Sequence, residues 1–168
     1  MANYYQWSKD HPFHLSVGAV VMNSDGLIAC HHYTEFLPLN ISKDSGGFYI
    51  LMRETLEMGE TIEQALHRGL SEEFGITAKI VTFVGSIITP IMRKEVEAQK
   101  TTIYFLVEPL TFEPEKRADD IENSSEIEWK SPEFLLSEMP KQSVRLSHKG
   151  VDESSIIASA LSLWGGKL

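Results

Sequence analysis

Apolar and polar residues follow the two periods of regular secondary structure along this chain. A valine-rich run at 14–23 and an extended pattern at 27–33 surround the turn Ser24-Asp25-Gly26, and together they predict a β-hairpin. Further strands are predicted at 48–53, 77–92, 101–107 and 126–130. Polar stretches separate these strands and predict loops, at 36–47, 93–100 and 109–125.

Helix signals mark three other segments. In the first, Thr61 is a capping residue, Gln64 occupies the capping-box position, and Gly75 predicts the end of the helix. The other two helices are predicted at 131–139 and 152–164. This order of strands and helices predicts an α+β fold, in which a mixed β-sheet is flanked by helices.

Length and hydrophobic content limit the number of domains. The chain has 168 residues and 42% hydrophobic content, which is enough for one well-buried core and short for two. No internal repeat or long linker divides it. We therefore expect a single domain over residues 1–168, with an N-terminal tail at about 1–12 and a C-terminal helix at about 152–164.

The helix that begins at Thr61 places a carboxylate among apolar side chains. At about 100° per residue, its apolar side chains share one side of the helix: Ile62, Leu66, Leu70 and Phe74. Glu73 falls on that side, and Glu72 lies across Gly69 from it. A buried charge must be paired or bind a cation, so this helix edge can form the wall of a cation or phosphate site. Two solvated glutamates near a helix end are the alternative.

Residues 54–76 resemble the signature of the Nudix hydrolases, G-x5-E-x7-R-E-U-x-E-E-x-G-U, in which U is a bulky aliphatic residue. The matching positions are Glu60, Arg68, Leu70, Glu72, Glu73, Gly75 and Ile76. Two positions depart from the signature, because Glu54 stands at its opening glycine and Gly69 at its first glutamate after the arginine. The stretch 49–61 also looks like the lead-in of this family.

The resemblance implies a fold, an activity and roles for several residues. It implies the Nudix fold, an α/β/α sandwich, and a metal-dependent pyrophosphohydrolase that uses Mg²⁺ or Mn²⁺. Glu72 and Glu73 correspond to metal ligands and catalytic residues of the family. Glu60 and Arg68 correspond to a structural pair that holds the loop against the helix. A solvated pair between Arg68 and Glu72 is the alternative for this arginine.

Gly69 lacks a carboxylate that relatives use to bind metal and often to activate water. Loss of a general base costs about a hundred- to ten-thousand-fold in rate, so another carboxylate substitutes or catalysis is weak. Glu54 is the first candidate for this catalytic role and Glu57 the second. Glu122, in the acidic loop with Asp119 and Asp120, is a further one. A Gly69→Glu change is expected to stabilise the helix and to return a carboxylate to the site.

Other candidates are less specific. Arg53, in the lead-in, is a candidate substrate-binding residue, and Trp129 could stack on a nucleobase, although an aromatic residue at a strand end also suits a core. His31 and His32 are adjacent in a predicted strand and therefore point to opposite faces, so they do not share a metal site.

Charge and cysteine content limit the partners. The net charge of -9 and the pI near 5.1 argue against binding a nucleic-acid polymer, which needs a basic surface. Cys30 is the single cysteine, so the chain has no intramolecular disulfide, which suits a reducing cytosol. No apolar leader or stretch of 18 apolar residues occurs. We predict a cytoplasmic protein without membrane contact, and a homodimer is left open.

These observations lead to one main hypothesis and two others. The main hypothesis is a metal-dependent hydrolase that cleaves a nucleoside diphosphate linked to another moiety. The second is a catalytically weak or inactive Nudix domain that binds a nucleotide-like ligand as a sensor or interaction module, for which Gly69 is the argument. The third, a structural subunit, requires a basic side chain that pairs with Glu73.

Overall fold

A mixed β-sheet forms the centre of the protein. The computed structural model describes residues 6–35, 46–93, 96–118 and 125–165, and the predictions for 36–45 and 119–124 lie outside these ranges. The strands are β1 Phe13–Met22, β2 Ile28–Tyr33, β3 Phe48–Ile50, β4 Met52–Thr55, β5 Ile76–Arg93, β6 Val96–Phe112 and β7 Glu126–Lys130. The helices are α1 Ile62–Phe74, α2 Pro132–Arg145 and α3 Ser154–Trp164.

The sheet opens into a gap because β1 changes partners along its length. The strand order is β3-β2-β1-β6-β5, with β4 paired to β1 and β7 paired to β2. β1 and β6 are parallel, and the other pairs are antiparallel. Residues 16–19 of β1 pair with β4, whereas Val21 and Met22 pair with β2. β2 and β4 therefore pair with different parts of β1, and the sheet divides between these two strands.

Helices cover both faces of the sheet, which confirms the predicted α+β class. On one face, α1 packs on a core that includes Val17, Ala19, Leu66, Leu70 and Phe74. On the other face, α2 and α3 pack on a core that includes Val20, Met22, Leu135, Met139 and Ile157. Alternate residues of β1 enter the two cores, as the two-residue period of a strand requires. No helix in the described ranges is both long and apolar enough to cross a membrane.

The helix α1 agrees with its sequence prediction at both ends. Thr61 Oγ1 accepts a hydrogen bond from Gln64 N at 3.1 Å, and Gln64 Oε1 accepts one from Thr61 N at 2.8 Å, so the capping box is complete. The helix ends at Gly75, whose φ of 63° is left-handed and favours glycine. Local residues alone specify this element.

One strand prediction and the bounds of two predicted connections were wrong. The strand predicted at 48–53 breaks at Leu51, because the Leu51 N–H donates to Glu153 Oε2 at 2.7 Å instead of to a neighbouring strand. The turn predicted at 93–100 is much shorter, since the polar residues Gln99 and Lys100 pair in register with β1. The loop predicted at 109–125 begins late, because β6 continues to Phe112 opposite β5.

Two helix boundaries also differ from the predictions. α2 continues through Pro140 to Arg145, and the buried side chain of Gln142 anchors this last part. Gln142 accepts a hydrogen bond from Tyr49 N at 2.9 Å and donates to Tyr49 O at 2.6 Å, so it binds the outer edge of β3. α3 begins one residue after Glu153, although Asp152 Oδ1 still accepts a hydrogen bond from Ser154 N at 3.0 Å.

Candidate functional site

A cavity of about 300 Å³ lies in the gap between β2 and β4. Its lining includes residues of β2, of β4 and of the segment between α2 and α3. Its ionisable lining residues are His14, His31, Tyr33, Arg53, Glu54, Glu73, Lys100, Tyr104 and His148. The cavity is small for a ligand site, which commonly measures about 300–1,000 Å³, so it accommodates part of a large substrate or one small ligand.

Glu73 is buried on the apolar side of α1, as predicted, and is 5% exposed. Its Oε2 lies 2.8 Å from His31 Nε2. That distance would suit an ion pair, but burial, helped by the charges of Arg117 and Arg53, lowers the pKa of His31 to about 3. The imidazole is therefore neutral at pH 7, and the contact is a hydrogen bond rather than a charge pair. The basic partner that the structural-subunit hypothesis requires is not supplied by His31.

The tautomer of His31 follows from its two partners. Its Nδ1 lies 2.6 Å from Ser125 Oγ, and its Nε2 faces the carboxylate of Glu73. A carboxylate only accepts, so the proton of the neutral ring is assigned to Nε2, and Nδ1 accepts from the hydroxyl. His31 thus orients one oxygen of Glu73 without neutralising its charge.

Arg68 binds three carboxylates and joins the motif loop, which is the segment between β4 and α1, to α1. Its Nε and Nη2 each donate to one oxygen of Glu60 at 2.9 Å, and Nη2 also donates to Thr55 O at 2.9 Å. Its Nη1 lies 3.1 Å from Glu54 Oε2 and 3.3 Å from Glu72 Oε2. The hydrogen bonds that Arg68 donates to Glu60, more than the charge of Glu54, raise the pKa of Arg68. The predicted pair of Arg68 with Glu60 and the alternative pair of Arg68 with Glu72 are therefore both present.

Glu54 fills the space beside Gly69. A Cβ atom on Gly69 would lie 2.6 Å from Glu54 Cβ and 2.9 Å from Met52 Sδ. The expectation that Gly69→Glu would fit and stabilise the helix was therefore wrong, because a strand residue already occupies this volume. Burial, opposed by the charge of Arg68, raises the pKa of the Glu54 carboxyl.

The carboxylates of this region suit a hard divalent cation in their chemistry. Glu54, Glu72 and Glu73 offer oxygen ligands, which Mg²⁺ prefers. Arg68 Nη1 stands between Glu54 and Glu72, so the two carboxylates already share one positive charge. The ligand atoms of these three side chains do not all lie within 4.8 Å of one another. Among the described residues, the group that meets this criterion is His32, Glu126 and Glu128.

That second group lies away from the cavity lining. His32 points to the face opposite His31, as predicted, and its Nδ1 lies 2.7 Å from Glu128 Oε1. The other oxygen of Glu128 lies 2.5 Å from Lys130 Nζ. The carboxylate of Glu128 is therefore already balanced by a neighbouring cation.

The other predicted candidates are divided between the cavity and other places. Arg53 lines the cavity, and its Nε lies 3.1 Å from Glu153 Oε1. Trp129 is absent from the lining and packs edge-on against Phe112, with 5.7 Å between ring centroids, so its contacts are those of a core residue. Glu122, with Asp119 and Asp120, lies outside the described residues.

Sequence reasoning missed the buried polar partners of the site. His31 and Glu153 are each 1% exposed, and Tyr104 is also 1% exposed. The one signal for His31 is a polar residue at a core-facing strand position. Glu153 precedes an apolar helix, where a capping residue is the ordinary interpretation. Neither signal names the partner residue.

Comparisons with known proteins agree with the motif and the fold. A family model described as NUDIX domain matches residues 12–149. The NAD-capped RNA hydrolase NudC of Pasteurella multocida (strain Pm70) is 35% identical over 60 residues, which are 36% of this chain and 23% of that protein. The chain thus matches about a quarter of the length of this relative.

Solved structures share the architecture at low sequence identity. A NUDIX hydrolase from Nitrosomonas europaea aligns with a TM-score of 0.59 and 15% identity, over 91% of this chain and 88% of the other. The E. coli ORF135 protein aligns with a TM-score of 0.56 and 17% identity, over 92% of this chain and 93% of the other. These likenesses show the α/β/α fold alone. Because the family model covers most of the chain and the motif lies on the expected helix, this protein belongs to the Nudix family.

Proposed function

We propose that the protein is a metal-dependent pyrophosphohydrolase that cleaves a nucleoside diphosphate linked to another moiety. Water adds to one phosphorus and the bridging P–O bond breaks, which gives a nucleoside monophosphate and a phosphorylated remainder. The observation that supports this most is that Glu54, Glu73 and Arg53 line one cavity, next to the motif pair of Arg68 and Glu72.

The proposal assigns the cation to Glu72 and Glu73, with Glu54 beside them. A divalent ion held there supplies the positive charge that the phosphoanhydride oxygens need before water attacks. His31 fixes one oxygen of Glu73 by a hydrogen bond, and such outer partners hold metal-binding carboxylates in position. The neutral imidazole of His31 does not neutralise the charge of Glu73.

The remaining residues bind and orient. Glu54 stands closest to the space where the motif glutamate is missing, and we assign to it the activation of water. Glu54 Oε1 accepts a hydrogen bond from Thr55 N at 2.7 Å, which fixes the carboxylate plane. We assign to Arg53 the binding of the substrate. Glu60 and Arg68 hold the motif loop on α1.

A second function, a nucleotide-binding module with weak or absent catalysis, is favoured by Gly69. The motif helix lacks one carboxylate, and the three carboxylates are not converged around one point. Such a protein would bind the same ligands and release no product. The two functions share the cavity and differ in turnover.

A substrate panel separates the two functions. The panel contains nucleoside diphosphates joined to sugars, alcohols or a second nucleotide, a nucleoside monophosphate, and an RNA with a dinucleotide cap. The capped RNA is included because one relative is named for that activity. Phosphate-ester products should appear with Mg²⁺ or Mn²⁺ and disappear with a chelator, and the monophosphate should not react. Turnover of the monophosphate, or binding without any product, would reject the hydrolase proposal.

Three further predictions accompany the proposal. The exclusion of nucleic-acid polymers, the cytoplasmic location and the homodimer each stay predictions. The net charge of -9 supports the first, since it disfavours attraction to a polyanion, and the single cysteine supports the second.

A further inference from the structure

Glu153 is a buried carboxylate that the reaction above does not use. It is 1% exposed and stands at the N-cap position of α3, where its side chain makes no capping hydrogen bond. Its Oε2 accepts a hydrogen bond from Leu51 N at 2.7 Å, and its Oε1 accepts one from the Tyr104 hydroxyl at 2.5 Å. A buried carboxylate is costly unless its oxygens are satisfied, so these contacts specify its orientation.

Arg53 is the third partner of this carboxylate. Its Nε lies 3.1 Å from Glu153 Oε1 as an ion pair, without the alignment of a hydrogen bond. By strand alternation, Arg53 and Glu54 leave β4 on opposite faces, and both residues line the cavity. Within the described ranges, no hydrogen bond engages its two terminal nitrogens. Their four N–H donors are thus available to a molecule in the cavity.

We propose that Glu153 is a positioning residue that, with Tyr104, holds Arg53 so that its terminal N–H groups bind a phosphoryl oxygen of the substrate. This inference rests on the proposed function. The planar guanidinium presents paired donors, which match the oxygens of a phosphoryl group. Glu153 balances the charge of Arg53, so the pair contributes directed hydrogen bonds rather than a net positive charge.

A purely structural ion pair would behave differently. It would only join β4 to α3, and its loss would lower the free energy of unfolding without changing KM in the variants that fold. A positioning role instead predicts that KM rises in the variants that fold, because the substrate contact depends on where Arg53 points. It also predicts that Glu153 matters only while position 53 carries a guanidinium.

The test compares Glu153→Gln, Arg53→Lys and the double variant. Glu153→Gln keeps one oxygen for Leu51 N, turns an amide NH2 towards the Tyr104 hydroxyl and removes the charge, and Arg53→Lys keeps the charge but removes the planar donors. Each single variant should raise KM about tenfold with little change in kcat, which is the size of one charge-assisted hydrogen bond. In the double variant KM should rise no further. Lys79→Gln, at an exposed position of β5, is the matched control and should leave KM unchanged.

Binding without turnover supplies an independent readout. Calorimetric titration of the metal-free protein with inorganic pyrophosphate should show the same loss in both single variants. Titration with Mn²⁺ should be unchanged, since the carboxylates assigned to the cation are intact. If Glu153→Gln fails to fold, Tyr104→Phe takes its place in the same comparison.

The outcomes separate this inference from the proposed function. An unchanged KM in folded variants, or an equal effect of Glu153→Gln in the Arg53→Lys background, would overturn the positioning role alone. A wild-type protein that neither binds pyrophosphate nor turns over any substrate would overturn both.

Discussion

Gly69→Ala is expected to destabilise the protein, although the same change in an open helix stabilises by about 1 kcal/mol. The new Cβ would lie 2.6 Å from Glu54 Cβ and 2.9 Å from Met52 Sδ. The first atom is attached directly to the backbone of β4, so it cannot rotate away. Overpacking of this kind costs about 1–3 kcal/mol, which leaves a net loss of roughly 1 kcal/mol after the helix gain.

Removal of Glu54 should reverse the sign of this effect. In a Glu54→Gly background the clash with Cβ disappears, and the remaining contact is the flexible thioether of Met52. Gly69→Ala should then stabilise by up to about 1 kcal/mol, so the coupling energy between the two positions is roughly 2 kcal/mol.

Urea unfolding of the four proteins, followed by far-ultraviolet circular dichroism, measures this coupling. Ser71→Ala, at an exposed position of α1, is the control and should show no coupling with Glu54→Gly. If Gly69→Ala stabilises both backgrounds equally, Glu54 does not fill the space beside Gly69, and the steric reasoning is refuted.

The same pair can be exchanged to test the carboxylate. Gly69→Glu alone should lose stability, and Glu54→Gly alone should weaken Mn²⁺ binding. The double variant with both changes moves the carboxylate from β4 to α1 and should recover Mn²⁺ affinity. A double variant that binds Mn²⁺ no better than Glu54→Gly would show that position 69 cannot replace position 54.

Three other predictions concern separate residues. Glu73→Gln should abolish Mn²⁺ binding by calorimetry and keep the fold, since the amide oxygen still accepts from His31; unchanged affinity would mean that Glu73 holds no cation. The unfolded chain protonates His31 near its ordinary pKa of 6.5 and the folded chain does so only at a pKa of about 3, so stability should fall as pH decreases through that window. The slope should reach up to about 1.4 kcal/mol per pH unit, and a His31→Gln variant with an equal slope in denaturant titrations at several pH values would contradict this. Trp129→Leu should lower the melting temperature and leave KM unchanged, because Trp129 packs on Phe112 outside the cavity; a raised KM would instead favour stacking on a nucleobase.

Sequence signals correctly predicted the elements whose ends depend on residues close by in the chain. The ends of α1 depend on Thr61, Gln64 and Gly75, which lie within the helix or next to it. The break at Leu51 depends on Glu153, and the continuation of β6 to Phe112 depends on pairing with Ile76 of β5, so neither could be read from neighbouring residues. Boundaries that distant partners decide have no local signature.

The candidate site divides in the same way. The burial of Glu73 followed from helical periodicity, and the contact of Arg68 with Glu60 lies within one short segment. His31 reaches Glu73 from another strand, and its polar type at a core position did not name that partner. The filling of the space beside Gly69 by Glu54 required the packing of α1 on β4.

The contact of Gln142 with β3 has a consequence for self-association. β3 is an outer strand of the sheet, and outer strands present unpaired backbone groups that can recruit a strand from another molecule. The amide of Gln142 occupies both the N–H and the C=O of Tyr49, as a neighbouring strand would. Arg145 Nη2 also donates to Gly47 O, and Glu153 accepts from Leu51 N, so side chains of α2 and Glu153 together close this edge against strand addition.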